Sequence, residues 1–235
     1  GNPARPAPTG EPAAIFHYDG GTMATYAAIM RRLDEKVGEV LDALRQLGLA
    51  DDTIVVFTSD NGGERFSDNW PFSGRKTELL EGGVRVPLIV RWPGRIAAGS
   101  ESAEPVMSMD WLPTFVGLAG SASAPERPSD GVDVLPVLLG NSLPARPLFW
   151  RYRHLDQASC RLGDHKYLRI NGNEFLLDVV QDPLERGNLK ARQPDLFADL
   201  KARWASWNET MLPFDPDSFS HGFHAKDMAD RFGVE

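Results

Sequence analysis

The run Thr53-Ile54-Val55-Val56-Phe57-Thr58 leads straight into Ser59-Asp60-Asn61-Gly62-Gly63. An apolar, β-branched stretch thus stops at a carboxylate, a carboxamide and two glycines. Asp60 and Asn61 offer hard oxygen donors of the kind that Ca2+ or Mg2+ takes. Gly62 and Gly63 permit positive φ and close backbone approach. The same residues also make an ordinary turn, so this pair alone does not separate a turn from a site. A second stretch, Gly74-Arg75-Lys76-Thr77-Glu78-Leu79-Leu80-Glu81-Gly82-Gly83-Val84-Arg85-Val86-Pro87, adds cations. Lys76 is a compact charge with three donors, suited to a tetrahedral anion. Arg75 stands beside it as a second cationic donor. A lone loop lysine is more often simply solvated.

These residues need elements to place them. Residues 22–48 carry Tyr26, Ile29, Met30, Leu33, Val37, Val40, Leu41, Leu44 and Leu47 at steps of three and four, which predicts an amphipathic helix about 40 Å long. Thr22 can cap its start and Gly48 its end. Residues 53–58 and 86–91 read as strands covered on both faces, and the helix-then-strand order predicts parallel pairing. Ligands of such sheets bind beyond the carboxyl ends of the strands, where Asp60 and Asn61 stand. A helix over 109–119 closes at Gly120, with Asp110 at its start beside Ser108, a candidate cap. A short apolar turn of helix covers 132–139. From 146 the pattern changes to strands at 148–153, 165–170 and 174–180, with Asn171-Gly172 as a hairpin signal. A helix over 194–210 puts Leu196, Leu200, Trp204 and Trp207 on one face.

The predicted fold class is therefore α/β, with flanking helices and a small C-terminal antiparallel sheet carrying a packed helix. The expected divisions are an extended arm at 1–14, an α/β part at 15–145, an antiparallel subdomain at 146–212 and an irregular tail at 213–235. Net charge is −8 over 235 residues, which argues against a nucleic-acid partner but leaves room for a local anion site. No apolar stretch approaches the ~18 residues of a membrane span. The first residues lack the basic and apolar regions of a signal peptide. Export to the periplasm or medium would need a signal upstream, and without one the chain would be cytoplasmic. The one cysteine, Cys160, excludes an intrachain disulfide. His17, His154, His165, His221 and His224 show no metal-ligand spacing.

Asp60-Asn61-Gly62-Gly63 followed by the 74–94 stretch resembles the sulfatases of the alkaline-phosphatase-like superfamily. The resemblance extends through the long helix upstream, PVMSMDWLPTFVGLAG and DGVDVLPVLLG downstream, and RLGDHKYLRINGNEFLLDVVQDPLERGNL. It covers about residues 15–210 and matches the C-terminal portion of the family. It implies hydrolysis of sulfate esters, with Asp60 and Asn61 as ligands of a divalent metal, usually calcium, and Lys76, five residues before Glu81-Gly82-Gly83, against the sulfate. Arg75 is the neighbouring substrate-binding candidate.

The resemblance also implies a formylglycine nucleophile, made from the Cys or Ser of a Cys/Ser-x-Pro-x-Arg motif. We expect that motif to be missing, since Cys160 sits in Ala158-Ser159-Cys160-Arg161-Leu162 with no proline two positions on. Cys160 reads as a structural thiol. The family's early Asp-Asp metal ligands are not found either, and two donors fall short of the about six to eight oxygens that calcium takes. The chain is therefore expected to be inactive alone, its missing half coming from another segment, from a second chain, or being absent with self-association in its place. Two alternatives stand beside this reading: a phosphoesterase or phosphonate hydrolase of the same superfamily, and a non-catalytic binding or assembly module. Glu64, Arg65, Asn69 and Trp70 follow the metal turn and could line a pocket. Trp70 and Phe72 read equally as packed loop aromatics.

Overall fold

The computed structural model describes residues 22–64, 66–121, 126 and 128–215. The arm at 1–14, His17, Arg65, His221, His224 and the tail beyond 215 lie outside the described residues. The chain divides into two compact units. One comprises Ser59–Pro87 and Arg146 onward, with the start of the chain to Val37; the other comprises Gly38–Thr58 and Leu88–Ala145.

The long helix, α1, spans Met23–Gln46. Thr22 caps it, accepting the Thr25 amide on its hydroxyl at 3.1 Å, and Gly48 follows it at φ 69°. Its apolar stripe is not buried in this chain: Ile29 is 60% and Val40 59% exposed. Among the described residues, no helix is long and apolar enough to cross a membrane.

In the second unit, β1 (Val55–Thr58) pairs with β2 (Leu88–Arg91). The pairing is antiparallel, with Val55 opposite Arg91 and Thr58 opposite Leu88, so the expected parallel pairing is corrected. A parallel pair needs a long crossover, usually helical, whereas the connection between these strands holds only the four-residue helix α2 (Glu81–Val84). The strands are also less covered than expected, since Ile89 is 61% exposed. Helix α3 (Trp111–Leu118) follows a 3-10 turn at Ser108–Asp110. Asp110 is fully buried. Its carboxylate accepts the Met107 amide at 2.7 Å and the Val132 amide at 3.0 Å. Thr114 accepts the Val134 amide at 2.9 Å, so α3 is stitched to the segment leading into α4 (Leu135–Leu138). Ser108 makes no capping bond.

The first unit is built on a four-stranded antiparallel sheet, β3 (Leu148–Tyr152), β4 (Gln157–Leu162), β5 (His165–Ile170) and β6 (Asn173–Asp178), in sequential order. Asn171 and Gly172 turn β5 into β6 at φ 50° and 75°, as the hairpin signal predicts. Alternation decides what each face meets. Ala158, Cys160, Tyr167 and Leu176 face helix α5 (Pro194–Glu209) and pack with Leu200 and Trp204. On the other face Leu168 and Leu177 pack with Leu79, Val179, Leu80 and Val84. The sheet is thus sandwiched between α5 and the 79–84 segment. That segment follows directly on the loop that carries Arg75 and Lys76.

Candidate functional site

The polar turn after β1 and the cation-bearing stretch meet through their backbones. The Gly62 amide donates to Gly83 O at 2.8 Å, and the Lys76 amide donates to Gly63 O at 3.0 Å. Asn69 completes the contact. Its Oδ1 accepts the Gly63 amide at 3.1 Å, and its Nδ2 donates to Gly63 O at 3.2 Å and Gly74 O at 3.1 Å. Glycines are required where the strands of this knot touch. A Cβ on Gly62 would stand 1.8 Å from Gly82 O, and one on Gly83 would stand 2.0 Å from Glu78 O.

Asp60 is exposed and Asn61 half-buried at this turn. Lys76 is 38% exposed on its side chain, and its ammonium lies 3.8 Å from a Glu64 carboxylate oxygen. Arg75 differs: its side chain is 8% exposed and 3.9 Å from Glu78. Of the two cations, Lys76 is the one that solvent-borne anions can reach. Trp70 is 73% exposed, whereas Phe72 lies under the Arg85 guanidinium at 4.6 Å. Asn69 is held by the backbone bonds above rather than offered to a pocket.

The donor chemistry of Asp60 and Asn61 fits a hard divalent cation, and the number of donors is short. Among the described residues, no group of three or more His, Cys, Asp or Glu side chains could hold a metal. The pair therefore fits as part of a coordination shell.

Beneath this loop lies a buried charge cluster that the sequence pattern does not announce. Lys166 and Glu81 are 0% and 1% exposed. The Lys166 ammonium lies 2.9 Å from Glu81 and 2.6 Å from Glu185, and donates to Leu79 O at 3.1 Å. Arg161 reaches Glu81 at 3.2 Å, and the Glu81 amide donates to Glu185 at 2.6 Å. Burial pushes the Glu185 carboxyl above the ordinary range, against the opposing pull of Lys166. Ser73 adds a hydroxyl bond to Leu184 O at 2.5 Å. The Glu81-Gly82-Gly83 turn is thus anchored to the C-terminal sheet by charge as well as by packing. The one available sequence signal was Lys166 itself, a lysine on the inward side of a strand that also carries Leu168 and Ile170.

Cys160 stands in the sheet–α5 core at 0% exposure. Burial pushes its thiol up to about 12, which keeps it protonated and inert. The structural reading of Cys160 holds.

Comparison with known proteins finds the following likenesses. A family model described as Sulfatase matches residues 3–121, and one described as N-sulphoglucosamine sulphohydrolase, C-terminal, matches residues 73–206. The chain is 38% identical over 147 residues to N-acetylgalactosamine-6-sulfatase of Homo sapiens, covering 60% of this chain and 28% of that protein. It is 40% identical over 243 aligned positions to the Homo sapiens steryl-sulfatase, covering 83% of this chain and 42% of that one. The crystal structure of Ps i-CgsB superposes with a TM-score of 0.76 at 30% identity, covering 80% of this chain and 44% of that chain. The chain therefore spans less than half the length of these relatives.

One expectation needs correcting from the sequence itself. Ser123-Ala124-Pro125-Glu126-Arg127 does spell Ser-x-Pro-x-Arg, so the string is not missing. It lies downstream of the Asp60-Asn61 pair and just past the last residue that the Sulfatase model matches. Residues 122–125 and 127 lie outside the described residues.

Proposed function

Because this chain belongs to the sulfatase family, we propose that it carries one part of a sulfuric-ester hydrolase site. Asp60 and Asn61 are two of the ligands of a divalent cation, Ca2+ or Mg2+. Lys76 faces the sulfate, and Arg75 supports the loop behind it. A cation held by these residues would supply Lewis-acid withdrawal of charge from the sulfate oxygens. Lys76 does the same from the protein side, its charge fixed in place beforehand. The carrying observation is the backbone bond from Lys76 to Gly63, which ties the ammonium-bearing residue to the turn that presents the two oxygen donors.

The chain alone is read as inactive. Its two metal donors are too few, and its Ser-x-Pro-x-Arg string lies past the residues that the Sulfatase model matches. In this reading the remaining ligands and the nucleophile come from outside residues 1–235. The test is turnover of 4-nitrophenyl sulfate, with phenyl phosphonate esters assayed in parallel, by the purified chain with saturating Ca2+. No turnover of either is expected. Sulfate turnover lost in both Lys76→Ala and Ser123→Ala would show a complete site and overturn the partial-site reading. Turnover of the phosphonate ester alone would favour the phosphonate-hydrolase reading, for which a structural match exists: a phosphonate monoester hydrolase from Silicibacter pomeroyi superposes with a TM-score of 0.53 at 25% identity.

A further inference from the structure

Thr77, the residue after Lys76, sits at φ 76°. A β-branched residue rarely adopts this left-handed conformation, and it persists only where the surrounding structure imposes it. A side chain of β4 bonds the backbone at this residue. Gln157 is 2% exposed. Its Nε2 donates to Thr77 O at 2.8 Å and to His154 O at 3.0 Å, and its Oε1 accepts the Leu79 amide at 2.9 Å. One side-chain amide thus grips the chain on both sides of Glu78. Only a carboxamide can do so: a glutamate lacks the donor for Thr77, and a lysine lacks the acceptor for Leu79.

We propose that Gln157 is a positioning residue for Lys76. By holding Thr77 in the left-handed region, it fixes the direction in which the preceding residue leaves the loop, and so keeps the Lys76 ammonium beside the Gly63–Glu64 turn. Gln157 acts through Thr77 and does not itself face an anion. Lys166 holds the downstream flank at Leu79 and Glu81, whereas Gln157 grips the strained residue itself. This inference rests on the reading of Lys76 as the sulfate-facing group.

The experiment measures protection of Lys76 by inorganic sulfate against amine-directed labelling, read by mass spectrometry on the 235-residue chain. The exposed Lys190 serves as internal reference. Wild type is expected to show saturable protection at Lys76 and none at Lys190. Gln157→Ala is expected to need about ten- to a hundredfold more sulfate. Thr77→Gly should match wild type, because glycine takes this φ without strain. The double variant Gln157→Ala/Thr77→Gly should return to within about threefold of wild type, since the strain that Gln157 opposes is gone. A merely structural Gln157 would lower the melting temperature without glycine at 77 restoring protection. Should Gln157→Ala fail to fold, Gln157→Glu and its Thr77→Gly double decide, because the carboxylate keeps the Leu79 contact and loses the Thr77 one. Wild-type protection in a folded Gln157 variant, or no recovery in the double, overturns the positioning role. Absence of protection in wild type overturns the sulfate-facing role of Lys76 itself, a failure distinguishable from the other two.

Discussion

At the scale of single residues, the decisive contacts are backbone ones that side chains would block. Gly62 is the sharpest case, with 1.8 Å between a would-be Cβ and Gly82 O. Gly62→Ala must push the Asp60-Asn61 turn off the 74–83 stretch. We expect a loss of at least about 2 kcal/mol, read as a lower urea midpoint, together with weaker sulfate protection at Lys76. Cys160 gives a second residue-scale prediction. Its raised pKa and full burial mean that iodoacetamide at pH 8 leaves the native chain unlabelled and labels the urea-unfolded chain at this one thiol. Glu174 gives a third. Burial pushes its carboxyl up, but the hydrogen bonds from Lys201 and Tyr167 together override that and hold it below the ordinary value. A carboxyl lowered by folding adds stability above its unfolded pKa, and this is lost as pH falls through the folded value. The stability gap between wild type and Glu174→Gln should therefore be present at neutral pH and close in acid, below about pH 4.

At the scale of elements, the sheet between α5 and the 79–84 segment converts sequence alternation into two separate tasks. One face is a core. Leu200→Ala, at its centre, should cost about 2–5 kcal/mol by denaturant unfolding. The other face holds Lys166 between Glu81 and Glu185. Lys166→Met leaves two buried carboxylates facing each other without their shared cation and should cost about 3–5 kcal/mol. The wild-type contribution of Glu185 itself runs with pH opposite to that of Glu174, although the deficit left by removing its cation does not. Glu185 has its folded pKa raised, so its contribution is greatest in acid and falls as pH rises through that value. The Lys166→Met deficit should be largest at neutral pH and shrink on acidification. Much of this layer was legible beforehand. The strand at 165–170, the Asn171-Gly172 turn and the apolar stripe of α5 follow from local pattern. Strand β4 did not. Gln157-Ala158-Ser159-Cys160-Arg161-Leu162 alternates polar and apolar, but its first two apolar positions are the small Ala158 and Cys160, and its loop-facing side chains are polar because they find polar partners on a segment about eighty residues earlier. The antiparallel pairing of β1 and β2 was also hidden, since helix-then-strand order does not reveal how the intervening loop returns.

At the scale of the whole molecule, the apolar positions that predict α1 stand uncovered. Met23, Ile29, Val40 and Leu47 are each more than half exposed. Buried apolar area drives association, so a chain with this stripe is expected to self-associate or to bind whatever else carries the rest of the fold. Sedimentation should show an average mass that rises with concentration, and Ile29→Glu with Val40→Glu should restore a monomer. The site follows the same logic. The sequence displayed the groups proposed for the site, Asp60, Asn61 and Lys76, because their chemistry is local. Their supports, Asn69, Gln157, Lys166 and Glu185, were not readable, because each acts across a fold-dependent distance.

Whether Asp60, Asn61 and Lys76 form one site is tested by the effect of Ca2+ on sulfate protection at Lys76. If Asp60 and Asn61 share one site with Lys76, binding of cation and anion must be mutually enhancing. Calcium in the millimolar range, as expected for so few donors, should lower the sulfate concentration needed for half-protection, and Asp60→Ala should abolish that effect while leaving calcium-free protection intact. Half-protection that is independent of calcium, or a calcium effect that survives in Asp60→Ala, would contradict the account.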